Sequence, residues 1–187
     1  EFRRVLFRSV LTALDNTWGA GVAFAPFQIF PQAEPHLRGV DVSVHALTKY
    51  PSGGGDVLMG SVTTCRDDLA RTLKLSHMRL GFGVGANDAE LVLRSLPTIE
   101  IRYKAQDASC RQVADWCLQQ SVFAQVLHPA IATSPGHVHW RNLCADGLED
   151  TSVVHKGGSA ASLLGLRFHS RFSSSQIDGF CNRLKLF

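Results

Sequence analysis

A chain of 187 residues with 45% apolar and 19% charged side chains has the composition of a globular protein, either one domain or parts of two. Its formal charge of +3 is too small and too dispersed for a nucleic-acid surface, and no run of about eighteen apolar residues is available to span a membrane. The five cysteines, at 65, 110, 117, 144 and 181, are an odd number without a CxxC pair, which argues against a disulfide framework or structural zinc and for reduced thiols in the cytoplasm.

The opening EFRRVLFRS is basic but lacks the long apolar core and small-residue cleavage site of a secretory signal. Residues 1–8 read as a non-native leader outside the fold. SVLTALDNT is a short apolar run that suits a buried strand with Asp15 at its polar tip. The glycines and prolines of TWGAGVAFAPFQIFPQAEPHLRG mark a loop. GVDVSVHALT alternates and is rich in valine, so it predicts a strand, and DVLMGSVTT predicts another after the turn HALTKYPSGGGD. From Arg66 the period lengthens to that of a helix, with an acidic first turn and leucines at 69, 73 and 80. GFGVGA interrupts it. NDAELVLRSL restarts a helix with Asn87 as N-cap, and Pro97 breaks it or opens a new one. TIEIRYKAQDASCRQVADWCLQQ then spaces Ile99, Tyr103, Val113 and Cys117 in a pattern suited to one long helix.

The texture changes after Gln120. VFAQVLHPA is a strand ending in a turn, TSPGHVHWRNLC a loop entering a short helix, and ADGLEDTSVVHKGGSA a flexible insertion. SLLGLRFHS is strand-like and SSSQIDGFCNRLKLF a helix capped by serines. Residues 9–96 therefore read as the end of an α/β domain, and residues 97–187 as part of a smaller α+β domain.

The turn after the second strand carries the chemistry. Lys49 follows a strand where α/β folds present ligands, at the carboxyl edge of the sheet, and Asp15 ends another strand. A lysine that condenses with an aldehyde, with an aspartate to keep a pyridine nitrogen protonated, is the usual arrangement for pyridoxal phosphate. Thr48 can offer a hydroxyl to the phosphate, and the glycines allow close backbone approach. Taken singly, such a lysine is a solvated surface residue and such an aspartate a turn or capping group.

Other signals carry less. GFGVGA does not match G-x-G-x-x-G and follows a helix pattern, so it reads as a helix junction. His128, His137 and His139 with Cys144 offer HVH spacing that would suit one strand face, but no second ligand pair stands at a standard distance, so loop polarity is preferred and no metal is assigned. Trp18 suits either a wall near a cofactor or a core aromatic. Cys110 and Cys117 share one helix face as core packing.

Three segments, LDNTWGAGVAFAPF, GVDVSVHALTKYPSGGGDVLMGSV and LGFGVGANDAELVLRSLPTIEIRY, resemble the Cys/Met-metabolism family of pyridoxal-phosphate enzymes, and VLHPA, GHVHWRNLC and SSSQIDGFCNRLKLF fit the same pattern. The resemblance implies the aspartate aminotransferase-like fold (type I). Part of the cofactor-binding large domain, a mainly parallel sheet with helices, is followed by part of the small domain. It implies Lys49 as the catalytic amine that carries pyridoxal 5'-phosphate, Asp15 as the partner of the ring nitrogen and Thr48 as a phosphate contact. The family often has serine where Ala46 stands and Gly-His-Ser where Gly53, Gly54 and Gly55 stand. The likeness is strongest to the branch that cleaves cystathionine by beta-elimination, giving homocysteine, pyruvate and ammonia in methionine biosynthesis. A sibling acting at the gamma carbon, as synthase or lyase, is the alternative, and a non-catalytic packing fragment is another. The family's phosphate loop, stacking tyrosine and substrate-carboxylate arginine have no counterpart in this sequence. The expectation is an internal fragment, inactive alone, of a cytoplasmic homo-oligomer (dimer or tetramer) that acts on a small amino-acid substrate.

Overall fold

The computed structural model describes residues 10–30, 33, 39–144 and 158–185. The expected leader, and residues 145–157 of the insertion expected over 145–160, lie outside the described residues. The chain divides into two compact units, Glu1–Ala105 and Gln106–Phe187.

Three strands build the sheet of the first unit: β1 (Ala13–Asp15), β2 (Val42–Ala46) and β3 (Gly60–Thr63), in the order β1-β2-β3. β1 and β2 run parallel, with Ala13 opposite Val42 and Asp15 opposite Val44. β2 and β3 run antiparallel, with Val44 opposite Val62 and Ala46 opposite Gly60. The mainly parallel sheet implied by the resemblance thus gains an antiparallel member here. The 47–59 connection folds into turns at one edge of the sheet and forms no crossover helix, so β3 must return in the opposite direction.

Asp41, just before β2, ties all three strands. Its carboxylate Oδ2 accepts the Thr12 N–H at 2.8 Å and the Thr12 hydroxyl at 3.0 Å, and its own N–H donates back to Thr12 Oγ1 at 3.1 Å. Its Oδ1 accepts from Arg66 Nη1 at 3.1 Å, and its carbonyl accepts the Thr64 hydroxyl at 2.6 Å. Burial raises the Asp41 pKa, but the donors from Thr12 and Arg66 outweigh it and hold the carboxyl below its ordinary value.

Helix α1 (Asp67–Arg79) carries Asp67 and Asp68 in its first turn, where the helix dipole favours them, and buries no residue. Helix α2 (Ala86–Ser95) is capped by Gly85 in extended backbone, with no side-chain cap bond. Asn87 is therefore not the cap but lies inside the first turn; the extended Gly85 backbone already ends the loop one residue before α2. Pro97 sits in a short 3-10 turn, Leu96–Thr98, that leads directly into α3 (Ile99–Leu118). Along α3 the buried residues are Tyr103, Asp107, Cys110, Ala114 and Cys117, a stripe with helical three–four spacing. Val113, part of the apolar spacing that predicts the helix, is 50% exposed, because it lies about 100° around the axis from Ala114.

In the second unit β4 (Phe123–Leu127) pairs antiparallel with β5 (Gly165–Phe168). Ala114, Cys117 and Val126 form a core with Phe123 and Ile131 against it. Asp107 is buried but satisfied: Oδ2 accepts from Arg111 Nε at 3.1 Å and Oδ1 from the Ala160 N–H at 3.1 Å, while Arg111 Nη2 donates to the Gly158 carbonyl at 2.6 Å. Helix α4 (His137–Cys144) holds both histidines of HVH, so they lie on a helix and not on a strand. Helix α5 (Ser174–Cys181) opens with the expected serine cap: Ser173 Oγ accepts the Gln176 N–H, and the Gln176 side chain accepts the Ser173 N–H at 2.9 Å. Among the described residues no helix is long and apolar enough to cross a membrane.

The depressed Asp41 pKa carries a linkage. The stabilisation is complete above the unfolded value of about 3.9 and is lost as pH falls through the lower folded value. Asp41→Asn is expected to lose about 2 kcal/mol at pH 7. It should also flatten the acid limb of the stability curve by up to about 1.4 kcal/mol per pH unit. Urea unfolding of both proteins between pH 2 and pH 7 checks this.

Candidate functional site

Because β1 and β2 are parallel, Asp15 at the end of one and the turn after the other come out on the same carboxyl edge. The two limbs are stitched together at that edge. The Asn16 N–H donates to the Val44 carbonyl at 2.8 Å, and the Ala46 N–H donates to Thr17 Oγ1 at 2.9 Å. The Thr17 N–H in turn donates to Asp15 Oδ1 at 3.0 Å. The hydroxyl and backbone N–H of Thr17 lower the Asp15 pKa against a small effect of burial, and the His45 imidazole adds to the lowering. Asp15 is exposed and held in its ionised form.

Lys49 lies three residues beyond the end of β2, with its side chain exposed. Its backbone is pinned on both sides: its N–H donates to the Ala46 carbonyl at 3.2 Å, and its carbonyl accepts the Gly53 N–H at 2.9 Å. Ser52 closes the turn, its N–H on the Leu47 carbonyl and its hydroxyl on the Thr48 carbonyl, both at 2.9 Å. Thr48 is half-buried, and its Oγ1 accepts the Met59 N–H at 3.4 Å, a bond that does not use the hydroxyl proton. The Lys49 Nζ stands 5.8 Å from the centroid of the Trp18 indole. Trp18 follows Asp15 by three residues, so an aromatic face joins the amine to the carboxylate limb.

Of the two readings open for Trp18, the core aromatic fails: the residue is 43% exposed. Its ring meets Tyr50 edge-on, centroids 6.1 Å apart, and Tyr50 leans on Tyr103 at 4.6 Å. Tyr103 donates its hydroxyl to the Trp18 carbonyl at 2.8 Å, and Arg102 Nη1 donates to the Tyr50 carbonyl at 2.7 Å. The glycine turn makes room for that guanidinium. Gly53 has φ +74°, and a Cβ there would lie 2.7 Å from Arg102 Cζ. Gly55 also has positive φ, +69°, but faces open space.

The predicted set of Lys49, Asp15 and Thr48 thus gathers at one sheet edge, and Thr17, Trp18, Tyr50, Arg102 and Tyr103 surround it. Thr17 had a local signal, since a threonine two residues after an aspartate is a turn former. Arg102 lies 52 residues from Tyr50 and had none. The other candidates sit elsewhere. His128 is buried in the second unit, its Nδ1 accepting the Ala130 N–H at 3.3 Å and its pKa pushed down mainly by burial. His137 Nδ1 donates to the Pro129 carbonyl at 2.7 Å. Among the described residues no group of three or more His, Cys, Asp or Glu side chains is arranged to hold a metal. Burial pushes the Cys144 thiol up to about 11.

A family model described as Cys/Met metabolism PLP-dependent enzyme matches residues 4–161. A putative cystathionine beta-lyase of Rhizobium johnstonii is 32% identical over 183 residues, covering 90% of this chain and 44% of that protein. A cystathionine beta-lyase of Bordetella avium is 32% identical over 136 residues, covering 73% of this chain and 32% of its own. The chain therefore spans less than half the length of these relatives. Among solved structures, a cystathionine gamma synthase from Xanthomonas oryzae pv. oryzae superposes with a TM-score of 0.72 at 23% identity, over 96% of this chain and 40% of that one. At that identity the likeness establishes the fold: the α/β architecture is part of the large-domain fold of these enzymes.

The two positive-φ glycines separate backbone strain from collision. Gly55→Ala is expected to cost about 1 kcal/mol from its left-handed backbone alone. Gly53→Ala also displaces the Arg102 guanidinium from the Tyr50 carbonyl and should cost about 2 kcal/mol. Denaturant unfolding of the two variants side by side measures the difference.

Proposed function

Because the chain belongs to the Cys/Met metabolism PLP-dependent enzyme family, we propose that it carries the reactive amine of a carbon–sulfur lyase. The reaction is beta-elimination of L-cystathionine, with water, to homocysteine, pyruvate and ammonia. The family's cofactor is pyridoxal 5'-phosphate, and the donor set at the carboxyl edge suits it. An exposed primary amine can bond to an aldehyde carbon, and an ionised carboxylate can accept from a protonated ring nitrogen. A threonine hydroxyl with its proton uncommitted can donate to a phosphate oxygen. The observation that supports the reading most is the common edge of Lys49 and an ionised Asp15, bridged by Thr17 and Trp18.

When bound, the cofactor supplies an electron-withdrawing ring that makes the substrate α-proton removable. Lys49 Nζ would hold the cofactor by its aldehyde carbon and, once substrate is bound, would be a free amine. It then takes the α-proton as general base, and as general acid it returns a proton to the departing sulfur. Asp15 holds the proton on the ring nitrogen, which needs a carboxylate that stays charged; the two Thr17 donors serve that end. Thr48 and the backbone of the glycine turn orient the phosphate end. The indole of Trp18 offers the amine an aromatic face, 5.8 Å from its nitrogen.

The relatives named for beta-elimination support that carbon over the gamma one, and the gamma synthase in the Xanthomonas structure keeps the gamma reaction as the second reading. Five unpaired thiols suit a reducing cytoplasm. Since the chain spans 44% of the Rhizobium protein, we expect the full reaction to need the rest of such an enzyme, assembled as a homo-oligomer, and the chain alone to be inactive.

In the full-length protein, cystathionine should yield pyruvate; 2-oxobutyrate without pyruvate would transfer the activity to the gamma carbon. Lys49→Ala should lower kcat by about 10³-fold or more. It should also leave the cofactor removable by dialysis, followed by its visible absorbance. Retention of a covalent cofactor in that variant would overturn the assignment of Lys49.

A further inference from the structure

A catalytic lysine does two jobs in sequence, and each needs the amine at a different atom of the same substrate. Its reach is then set by how firmly its backbone is held. Lys49 lies on a turn, and turns are held by what packs behind them. Two consecutive residues of α3 reach the two chain limbs of the site. Arg102 Nη1 donates to the carbonyl of Tyr50, the residue directly after Lys49, at 2.7 Å. Tyr103 donates its hydroxyl to the carbonyl of Trp18, on the limb that carries Asp15, at 2.8 Å. Successive helical residues point about 100° apart, so a single turn of helix can grip both limbs at once.

The grip is anchored at its far end. Arg102 Nη2 donates to both the carbonyl and the hydroxyl of Ser95, at 3.0 and 2.9 Å, and Nε donates to Thr98 Oγ1 at 3.1 Å. The guanidinium thereby caps the last residue of α2 while it holds the lysine turn, and Gly53 is the residue whose missing side chain admits it. A lysine cannot replace this fork, because one ammonium cannot face Tyr50 and Ser95 in one plane. Tyr103 is 1% exposed, and its ring supports Tyr50, which supports the Trp18 indole, over which Nζ stands.

We propose that Arg102 and Tyr103 are positioning residues for the catalytic amine: together they fix the Lys49 turn against the Asp15 limb, so that Nζ is held where proton transfer takes place. This rests on the reading of Lys49 as that amine. Neither residue is assigned a contact with substrate or cofactor. The donor to Tyr50 sets where the lysine backbone sits, and the donor to Trp18 sets the aromatic surface beside its nitrogen.

The test uses the full-length holoenzyme with Arg102→Met, Arg102→Lys, Tyr103→Phe and Lys49→Ala. Tyr103→Phe keeps the ring and loses a single hydroxyl, so it remains folded where an arginine variant fails. Four quantities are read below each variant's melting temperature: kcat and KM for cystathionine, the isotope effect with α-deuterated substrate, and the rate at which the cofactor-free enzyme captures pyridoxal phosphate on Lys49, trapped by borohydride and located by peptide mapping. The expected result is a tenfold or greater fall in kcat for both Arg102 variants and about threefold for Tyr103→Phe, with KM within twofold. The isotope effect should rise, and capture should slow in parallel. Wild-type kcat, isotope effect and capture rate in folded Tyr103→Phe and Arg102→Lys would overturn the proposal and leave the pair a purely structural brace. If Lys49→Ala still captures the cofactor at the same peptide, the reading of Lys49 itself fails. If Lys49→Ala loses capture while the α3 variants behave as wild type, only the positioning role fails.

Discussion

The parallel pairing of β1 with β2 is the constraint from which the rest of the first unit follows. Only in a parallel pair do two strand ends emerge on the same edge, and only then do a carboxylate ending one strand and an amine following the other share it. Three pairs of residues define this ladder, a length that would not hold its own register. Fasteners at both ends hold it. Asp41 locks the entry with a charged acceptor shared by Thr12 and Arg66, and Thr17 locks the exit with one hydroxyl that serves both limbs. A slip by one residue would turn Asp15 to the opposite face of the sheet and break the bond from the Ala46 N–H to Thr17.

The two fasteners differ in kind. The Asp41 cluster is partly exposed, and its Arg66 partner also bonds Asp68, so its worth depends on pH and salt. The Thr17 bridge is neutral on one side and buried, and it acts directly on the charge of Asp15. Structural closure and electrostatic tuning are thus delivered by the same side chain. In the second unit a different device appears: Asp107 and Arg111 form a buried ion pair whose remaining groups are taken up by the backbone at Gly158 and Ala160. Those backbone bonds offset part of the desolvation that burying the two charges costs.

Much of this was legible in the residues. The valine alternation of 42–46, the helical run from Asp67 and the serine-led final helix each carry their own period or cap, and each appears in the structure. Local chemistry also signalled Lys49 beside glycines and Asp15 at a strand tip. What could not be read depended on partners distant in sequence. Val113 belongs to the apolar spacing of the long helix, but such spacing cannot tell which of two adjacent stripes will be covered; the covered one runs through Tyr103, Asp107, Cys110, Ala114 and Cys117. The cap of α2 moved from Asn87 to Gly85 because backbone shape, and not side-chain preference, ended the loop there. The direction of β3 depended on how the 47–59 turns close, which composition does not encode. Arg102 read only as one more charge on a long helix.

The fit of Gly53 against the Arg102 guanidinium bears on how this chemistry could be moved to another scaffold. A designer grafting the short lysine loop onto a new host would carry the nucleophile and the glycines but leave behind the cation that gives the first glycine its purpose. The transplantable module is discontinuous: a loop, plus one helical turn some fifty residues downstream, in fixed relative pose. A graft of the loop alone would inherit a flexible hairpin with a wandering amine.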